Sequence, residues 1–484
     1  MNTVLKRIIS CIILICILFC SITRVSRFLQ LKESDNRYSS FFVEKQPIDV
    51  LFLGSSHVRH GFYPMELWAD YGISSYNLAA NGSTLPVSYW TLVNALDYKK
   101  PEVVVLDVFD MWPGRVCSES WGQVHAQFDA FPLSIHKFQM ILDLFNDEDM
   151  TDGNGVNIYE KRWELLFDLG EYHTRWTELT EDDFDDNSQV VLNSEIWKGP
   201  TPLIAVVDRD EHIYSENIKG LKYDDLSKEY LKKTIDLCKK EEIKLILINT
   251  GYDCSDESKL FADSVDQIAK DNEIEYIDFT KEDIIDFNTD LHSTGHNTHV
   301  NSSGAQKFTQ YIGEKLLVGY NLTDHREDSL YQKWWSDYDK YLNSKHDYLV
   351  AQEDIINYLM LLKDDDYKVL IEVRDGNILE NKKLTNMLGN LGIKFTDNSS
   401  NLICVNVESG ECNLLSNTYM SGDSWETIFG NLTYFSNDEG LYGIYLDDEE
   451  LYTANTLEDD SQIKICVYSK SSGSWIDIKS FAGL

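Results

Sequence analysis

The stretch from Ile48 to Pro64, which reads IDVLFLGSSHVRHGFYP, has the residue types and spacing best suited to chemistry. Its first part is a short apolar run, long enough for a buried strand, and Gly54 ends that run directly before two serines and a histidine. A serine between a strand and the start of a helix stands at the carboxyl end of the sheet, where its backbone N–H can face a developing oxyanion. The stretch therefore predicts a nucleophilic serine, although Gly-Ser-Ser also occurs in ordinary turns.

A second stretch, near residue 300, supplies a candidate base. It begins at His299 and reads HVNSSGAQKFTQYI, so that a histidine stands just before a predicted helix. A serine hydroxyl is a weak nucleophile until a neighbouring imidazole takes its proton. If the chain returns here to the same edge of the sheet, this histidine would activate the serine.

Together the two stretches resemble the SGNH/GDSL hydrolase superfamily. The likeness covers about residues 45–320 and rests on GSSH, SYNLAANGST, VVVLDVFD, YHTRW and THVNSSGAQKFTQYI, which occur in that order. The closer likeness is to the membrane-anchored branch, which includes the D-alanyl-transfer protein of teichoic-acid synthesis and the alginate acetylation proteins. The resemblance implies acyl-transfer chemistry at a serine.

The resemblance also assigns roles at the serine end of the site. Ser56 matches the third position of the family's Gly-x-Ser block and is the expected nucleophile, with Ser55 as the fallback. The expected oxyanion donors are the Ser56 N–H, the Gly82 N–H and the Asn81 amide.

The sequence departs from the family's pattern in two places. Where the third block has an asparagine, Asp107 and Asp110 stand at the end of the corresponding strand, so the oxyanion hole must differ in composition. The family also places an aspartate three residues before the histidine, a position that His296 holds here. The nearest upstream carboxylate is Asp290, and the loop is long enough to fold it back onto His299. The alternative is a serine–histidine dyad, because an orienting acid improves activity without creating it.

Other polar residues of these stretches are candidate substrate contacts or metal ligands. We expect His57 and His60 to contact substrate or to be loop residues only, and Arg175 to contact substrate or to pair with one of the many acids. A metal site is the less favoured alternative for the histidine-rich loop, which has no matched carboxylate pair. Its members would be His292, His296 and His299. We expect no metal and no cofactor.

The charge of the chain limits its partners. Its 484 residues include 81 acidic and 43 basic side chains, which give a formal charge of −38. Such an excess of negative charge argues against nucleic acid, and against an anionic membrane surface, as partners held by charge. It favours a neutral envelope glycan or a lipid-linked acyl donor. The apolar content of 43% is sufficient for packed cores, and the length indicates more than one domain.

The first 28 residues are typical of a targeting segment. Residues 8–23 are almost wholly apolar and have basic residues on both sides. A cleaved signal peptide is the competing interpretation, but the residues around Cys20 fit neither a small-x-small cleavage site nor a lipoprotein box. We therefore predict an uncleaved signal anchor at 1–28 and a polar juxtamembrane stalk at 29–46. The protein would then be a single-pass protein of the cell membrane with its main body extracytoplasmic.

Apolar runs alternate with helical patterns through most of the chain. The runs that begin at Ile48, Ser74, Glu102, Ile243 and Ile274 predict strands, and amphipathic segments between them predict helices. This alternation predicts an α/β fold with a doubly wound parallel sheet. The resemblance implies the flavodoxin-like strand order for it.

The alternating pattern spans 47–325 and is interrupted at about 112–219. This tryptophan-rich and acidic stretch is predicted to be a mostly helical insertion at the carboxyl edge of the sheet. Residues 345–484 show a helix between strands and then short alternating runs, which predict a separate accessory α+β domain. Within it, Cys404 and Cys412 are either a disulfide across a turn or two unpaired core residues.

These observations predict a serine-dependent esterase or O-acyltransferase that modifies a cell-envelope polysaccharide through Ser56, His299 and Asp290. The alternative is a non-catalytic SGNH-like scaffold that assists a membrane-bound acyltransferase. The altered third block and the missing Asp-x-x-His favour the scaffold, whereas the ordered serine and histidine blocks favour the enzyme.

Overall fold

The computed structural model describes most of the chain, and every structural statement below refers to the described residues. These are 3–29, 37–109, 114–118, 120–166, 173–179, 194–207, 225–252, 256–293, 298–374, 378, 380–393, 402–408, 411–416, 420–456 and 458–483.

Five parallel strands form the sheet that carries the serine stretch. They are β1 Val50–Leu53, β2 Ser75–Asn77, β3 Val103–Asp107, β4 Lys244–Asn249 and β5 Glu275–Asp278. Their order in the sheet is β2-β1-β3-β4-β5, with parallel pairing throughout. Parallel neighbours need crossover connections, which the intervening helices provide. The predicted α/β class, parallel sheet and strand order are confirmed.

Helices cover the sheet and extend beyond it. The α-helices of this part of the chain are α1 Thr3–Leu29, α2 Arg37–Val43, α3 Ser56–Gly61, α4 Pro64–Tyr71, α5 Leu85–Leu96, α6 Trp121–Phe128, α7 Ile135–Leu144, α8 Ile158–Lys161, α9 Ser194–Trp197, α10 Asp225–Lys240, α11 Asp256–Asp271 and α12 Ser302–Tyr320. Short 3-10 helices lie at Arg162–Leu166, His173–Thr177, Phe279–Lys281 and Ser329–Tyr331.

Both faces of the sheet are buried, as expected for apolar runs without alternation. Alternate residues of each strand point to opposite faces, so Leu51 and Leu53 pack in one core with α5, α10 and α11. Val50 and Phe52 pack in a second core with α12. The two cores hold the carboxyl ends of β1 and β3 in fixed positions, and these ends carry the candidate site.

The predicted insertion is mostly helical in its described residues. It includes α6 to α9, the first two 3-10 helices, and one isolated bridge between Thr151 and Asn157. Trp121 and Phe128 of α6 join the core on the α5 side of the sheet. This agrees with the mostly helical character that the sequence predicts.

The N-terminal residues differ from the prediction. Residues 3–29 form α1, but no helix among the described residues is both long enough and apolar enough to cross a bilayer, in contrast to the anchor predicted at 1–28. The described part of the predicted stalk is also not a free polar spacer. Phe41 of α2 is fully buried against Tyr76, and Glu44 pairs with the buried Lys198 at 2.9 Å.

The C-terminal part is built from antiparallel sheets, as the alternating runs predict. Its strands are β6 Tyr367–Val373, β7 Leu402–Glu408, β8 Glu411–Ser416, β9 Ser424–Thr427, β10 Gly430–Ser436, β11 Leu441–Leu446, β12 Glu449–Asn455, β13 Ile463–Ser469 and β14 Ser474–Phe481. They form sheets of order β14-β13-β6-β7-β8 and β12-β11-β10-β9. In the register of β7 and β8, Cys404 lies opposite Leu414 and Cys412 opposite Asn406; the side chains of both cysteines lie outside the described residues.

Three further helices accompany these sheets: α13 Gln332–Val350, α14 Ile355–Leu361 and α15 Lys382–Asn390. Helix α13 crosses the predicted boundary at residue 345. It contributes Trp334 and Tyr341 to the core of the parallel sheet and Leu349 to the core beneath β6. The two regions are therefore joined by a packed helix, although the division into domains stays a prediction.

Candidate active site

Ser56 lies where β1 ends and α3 begins. Gly54 makes this turn with φ +152, in the region that favours glycine, and a Cβ there would lie 2.7 Å from Val58 Cγ2 and 2.8 Å from Asp107 Cβ. Ser55 caps α3, since its hydroxyl accepts the N–H of His57. Ser56 is thereby the first residue of α3 and is 6% exposed.

The structure brings Ser56 and His299 together, although they are far apart in the sequence. The distance from Ser56 Oγ to His299 Nε2 is 2.7 Å, within hydrogen-bond range for a nucleophile and its base. His299 is 8% exposed. It precedes α12, whose first N–H groups are capped by the Asn301 side chain.

A serine, Ser293, is the described partner on the other side of the imidazole. Its Oγ accepts the main-chain N–H of His299 at 3.0 Å and lies 3.3 Å from His299 Nδ1. When Nε2 accepts the Ser56 proton, Nδ1 carries the ring hydrogen and can donate it only to an acceptor. Ser293 Oγ is in position for that role, which the sequence-based prediction assigns to a carboxylate.

Asp290, the predicted acid, is placed differently. Its carboxylate accepts hydrogen bonds from Lys363, Lys307 and Ser303, at 2.6, 2.6 and 2.8 Å. Its described partners do not include His299, so the predicted Asp290–His299 contact is not formed. The reason is charge: burial alone would raise the pKa of Asp290, but the two lysines overcome this effect and lower it to about 2. The Asp290 carboxylate therefore forms ion pairs with Lys307 and Lys363.

Two further histidines surround the His299 ring. The His57 ring stacks on it with 4.4 Å between centroids, and the His60 ring meets it edge-on at 5.5 Å. Burial, together with His299 and His60 nearby, lowers the pKa of His57 well below its usual range, so this ring is neutral. His60 Nδ1 donates to the Thr201 carbonyl at 2.6 Å. Both predicted substrate-contact histidines thus line the pair.

The expected oxyanion donors are only partly placed. The Ser56 N–H stands at the start of α3, where main-chain N–H groups have no partner within the helix. Ala80 N donates to Gly54 O at 3.1 Å, so the turn with Asn81 and Gly82 begins beside the serine stretch. However, Asn81 is exposed, and Gly82 faces Ser118 and Gln123. The roles of these two residues in an oxyanion hole stay predictions.

Asp107 lies directly beneath the site, at the end of β3. It is 1% exposed and accepts the N–H of Phe109 at 3.1 Å and the hydroxyl of Thr250 at 2.8 Å. Burial raises the pKa of Asp107 to about 7, against the opposing effect of these hydrogen bonds. Its Cβ is among the atoms that would meet a side chain at Gly54, so it packs against the serine turn.

The remaining predicted residues are Arg175, His292, Asp110 and His296. Arg175 donates to the Leu29 carbonyl at 3.0 Å and so contacts the end of α1. His292 is half-buried, and burial lowers its pKa. Asp110 and His296 lie outside the described residues. Within the described ranges no group of three or more His, Cys, Asp or Glu side chains is arranged to hold a metal ion.

Comparison with known proteins gives only distant structural likeness. A proposed acylhydrolase from Bacteroides fragilis NCTC 9343 is 13% identical over 58% of this chain and 96% of its own, with a TM-score of 0.27. A gut microbial diltiazem-metabolizing enzyme is 11% identical over 56% of this chain and 48% of its own, with a TM-score of 0.18. No family model matches the chain, and no curated protein matches it significantly. At these TM-scores the likeness carries no argument, and the relation to the SGNH/GDSL superfamily stays a prediction.

Proposed function

We propose that the protein is a serine-dependent ester hydrolase or O-acyltransferase with Ser56 as nucleophile and His299 as base. The observation that carries this proposal is the 2.7 Å contact between Ser56 Oγ and His299 Nε2, both buried, at the carboxyl end of a parallel sheet. A buried serine and histidine from distant parts of the chain need not meet in this orientation for packing alone.

The geometry supports a two-step reaction. His299 Nε2 takes the Ser56 proton as Oγ attacks the acyl carbon, and the negative charge that develops on the acyl oxygen faces the Ser56 N–H. The imidazolium then returns its proton to the leaving alcohol as the ester bond breaks, which leaves an acyl group on Ser56. Water or a sugar hydroxyl, deprotonated by His299, releases that acyl group and restores the serine.

The surroundings of the pair orient the base. Ser293 holds the imidazole through its hydroxyl, and the neutral His57 ring stacks on the same imidazole. We therefore infer that His299 is correctly placed to act as the base.

The substrate proposed is a neutral, acylated glycan of the cell envelope, or an acyl donor linked to it. The formal charge of −38 supports an uncharged substrate, because a polyanion would be repelled. An extracytoplasmic location and a membrane-bound acyltransferase as partner belong to the same proposal. They come from the sequence resemblance.

The experiment that tests the proposal is reaction of the full chain with a fluorophosphonate probe, which labels activated serines, together with hydrolysis of p-nitrophenyl acetate. We expect labelling that maps to Ser56 and is lost in Ser56→Ala and His299→Gln. The matched control is Ser264→Ala, which removes a hydroxyl on α11 that bonds the Phe261 carbonyl and should leave labelling in place. A folded wild-type protein that neither reacts with the probe nor hydrolyses the ester would instead support the non-catalytic scaffold.

A further inference from the structure

The C-terminal part of the chain reaches back to the loop that carries His299. Lys363 follows α14 and leads into β6. Its ammonium group lies 2.6 Å from Asp290 Oδ1 and 2.8 Å from Thr289 Oγ1. The Lys363 side chain is 10% exposed and that of Asp290 is fully buried. A lysine from outside the parallel-sheet region is thus buried at the base of this loop.

The two lysines that contact Asp290 differ in their dependence on it. The Lys307 side chain is 36% exposed, so water can solvate its charge if the carboxylate is removed. Lys363 is nearly enclosed, and burial lowers its pKa although Asp290 opposes the effect. Removing one partner of such a buried ion pair is costly, because the charge that remains is neither paired nor solvated by water. Lys363 and Asp290 therefore hold each other in place.

Short main-chain contacts connect this pair to the catalytic histidine. Asn301 N donates to Asp290 O at 2.9 Å, and His292 N donates to His299 O at 2.9 Å. Leu291 and Val300 form the bridge between these two bonds. Asp290 and His299 thus stand on the two sides of one antiparallel ladder, and a shift of Asp290 moves His299.

The same ladder is fixed at its open end, away from the segment that joins its two sides. The Asn301 side chain donates to Thr289 O at 2.8 Å, and Thr289 is the residue whose hydroxyl accepts from Lys363. A Cβ at Gly304 of α12 would lie 2.8 Å from Asp290 O, so the helix approaches the Asp290 main chain closely. Lys363 therefore contacts Thr289 and Asp290, the two residues at which the ladder begins.

We propose that Lys363 is a positioning residue for His299, and that the C-terminal region is thereby part of the catalytic unit. The inference rests on the proposed function, since it concerns the base of that reaction. Lys363 holds Asp290 and Thr289, these hold the ladder, and the ladder sets the distance between His299 Nε2 and Ser56 Oγ. Asp290, predicted as the acid of a triad, acts in this arrangement through the backbone.

The test compares Lys363→Met with Lys479→Met in the full chain. Lys479 is a matched lysine of the C-terminal region that contacts Val350 O and Glu353, away from the ladder. For Lys363→Met we expect a fluorophosphonate labelling rate at Ser56, and a kcat for p-nitrophenyl acetate, lower by about tenfold to 100-fold, with KM within about twofold of wild type. Lys363→Arg should restore part of kcat, and Lys479→Met should match wild type.

A second variant keeps the test decisive if the single variant does not fold. Asp290→Asn combined with Lys363→Met removes both buried charges and leaves only the solvated Lys307, so folding should be retained while the fixed contact is lost. Wild-type labelling in either folded variant overturns the positioning role, and so does a change confined to KM. A wild-type protein that is not labelled refutes the proposed function itself, and the positioning role falls with it.

Discussion

Ser293 Oγ accepts the main-chain N–H of His299 at 3.0 Å and lies 3.3 Å from Nδ1 of the same imidazole. One hydroxyl therefore sets both the backbone and the ring of the candidate base. Catalytic triads place a carboxylate at this point, where it selects the tautomer and stabilises the imidazolium. Here a neutral oxygen lies within hydrogen-bond range of Nδ1, while Nε2 faces Ser56.

We predict that Ser293→Ala lowers kcat for p-nitrophenyl acetate by about tenfold. The lost hydrogen bond is worth about 1.4 kcal/mol, which corresponds to that factor in rate. Ser293→Asp should raise kcat above that of Ser293→Ala, because a carboxylate would stabilise the imidazolium. Steady-state kinetics of the purified variants measure both effects.

The control for these variants is Ser264→Ala. Ser264 bonds the Phe261 carbonyl on α11, away from the histidine loop, and its loss should leave kcat unchanged. If Ser293→Ala retained the wild-type kcat, Ser293 would not orient the base.

Gly54 gives a second prediction, which concerns the turn that presents Ser56. Gly54→Ala should lower the free energy of unfolding by a few kcal/mol, because the new Cβ would lie 2.7 Å from Val58 and 2.8 Å from Asp107 at a φ that disfavours side chains. Urea unfolding followed by circular dichroism measures the change.

The matched control for Gly54→Ala is Gly319→Ala. Gly319 lies in α12 with nothing within 4 Å of its added Cβ, so alanine should stabilise the protein by about 0.5–1 kcal/mol. Equal effects of the two substitutions would show that the turn tolerates a side chain and that a Cβ at Gly54 does not clash with Val58 or Asp107.

The sequence predicts the parallel sheet well because its signals are local. The apolar runs at β1, β3 and β4 need no knowledge of tertiary contacts, and burial on both faces follows from the absence of alternation. Ser56 and His299 were also found locally, each from the strand end or helix start beside it. Their meeting at 2.7 Å is what these two signals together imply.

The partner of Asp290 could not be predicted in the same way. Lys363 lies 73 residues downstream, in a region with no resemblance to the serine and histidine stretches. No local feature of the sequence distinguishes a carboxylate that orients a histidine from one that forms an ion pair with a buried lysine. The contact between Phe41 and Tyr76 is unpredictable for a similar reason. A short aromatic segment among polar residues is typical of a spacer, and no local feature of the sequence identifies Tyr76 as its partner.

Asp107 gives the last prediction, which concerns pH. Burial raises the pKa of this carboxyl to about 7 in the folded protein, whereas an unfolded aspartate titrates near 3.9. Below about pH 4 the group is protonated in both states and its stabilising contribution is complete. As the pH rises to about 7 the unfolded state loses its proton first, so the free energy of unfolding falls by a few kcal/mol. Asp107→Asn should abolish this fall, because an amide has no proton to lose in this pH range. The fold should be retained, since the amide oxygen can still accept the N–H of Phe109 and the Thr250 hydroxyl can rotate to accept from the new amide. Urea unfolding of both proteins at pH 4.5 and pH 8 should therefore show Asp107→Asn gaining stability relative to wild type at the higher pH.

Asp438→Asn, at an exposed aspartate, is the control and should follow the wild-type profile. Parallel profiles for wild type and Asp107→Asn would mean that the carboxyl beneath Ser56 is ionised at neutral pH, and its negative charge would then oppose an oxyanion formed above it.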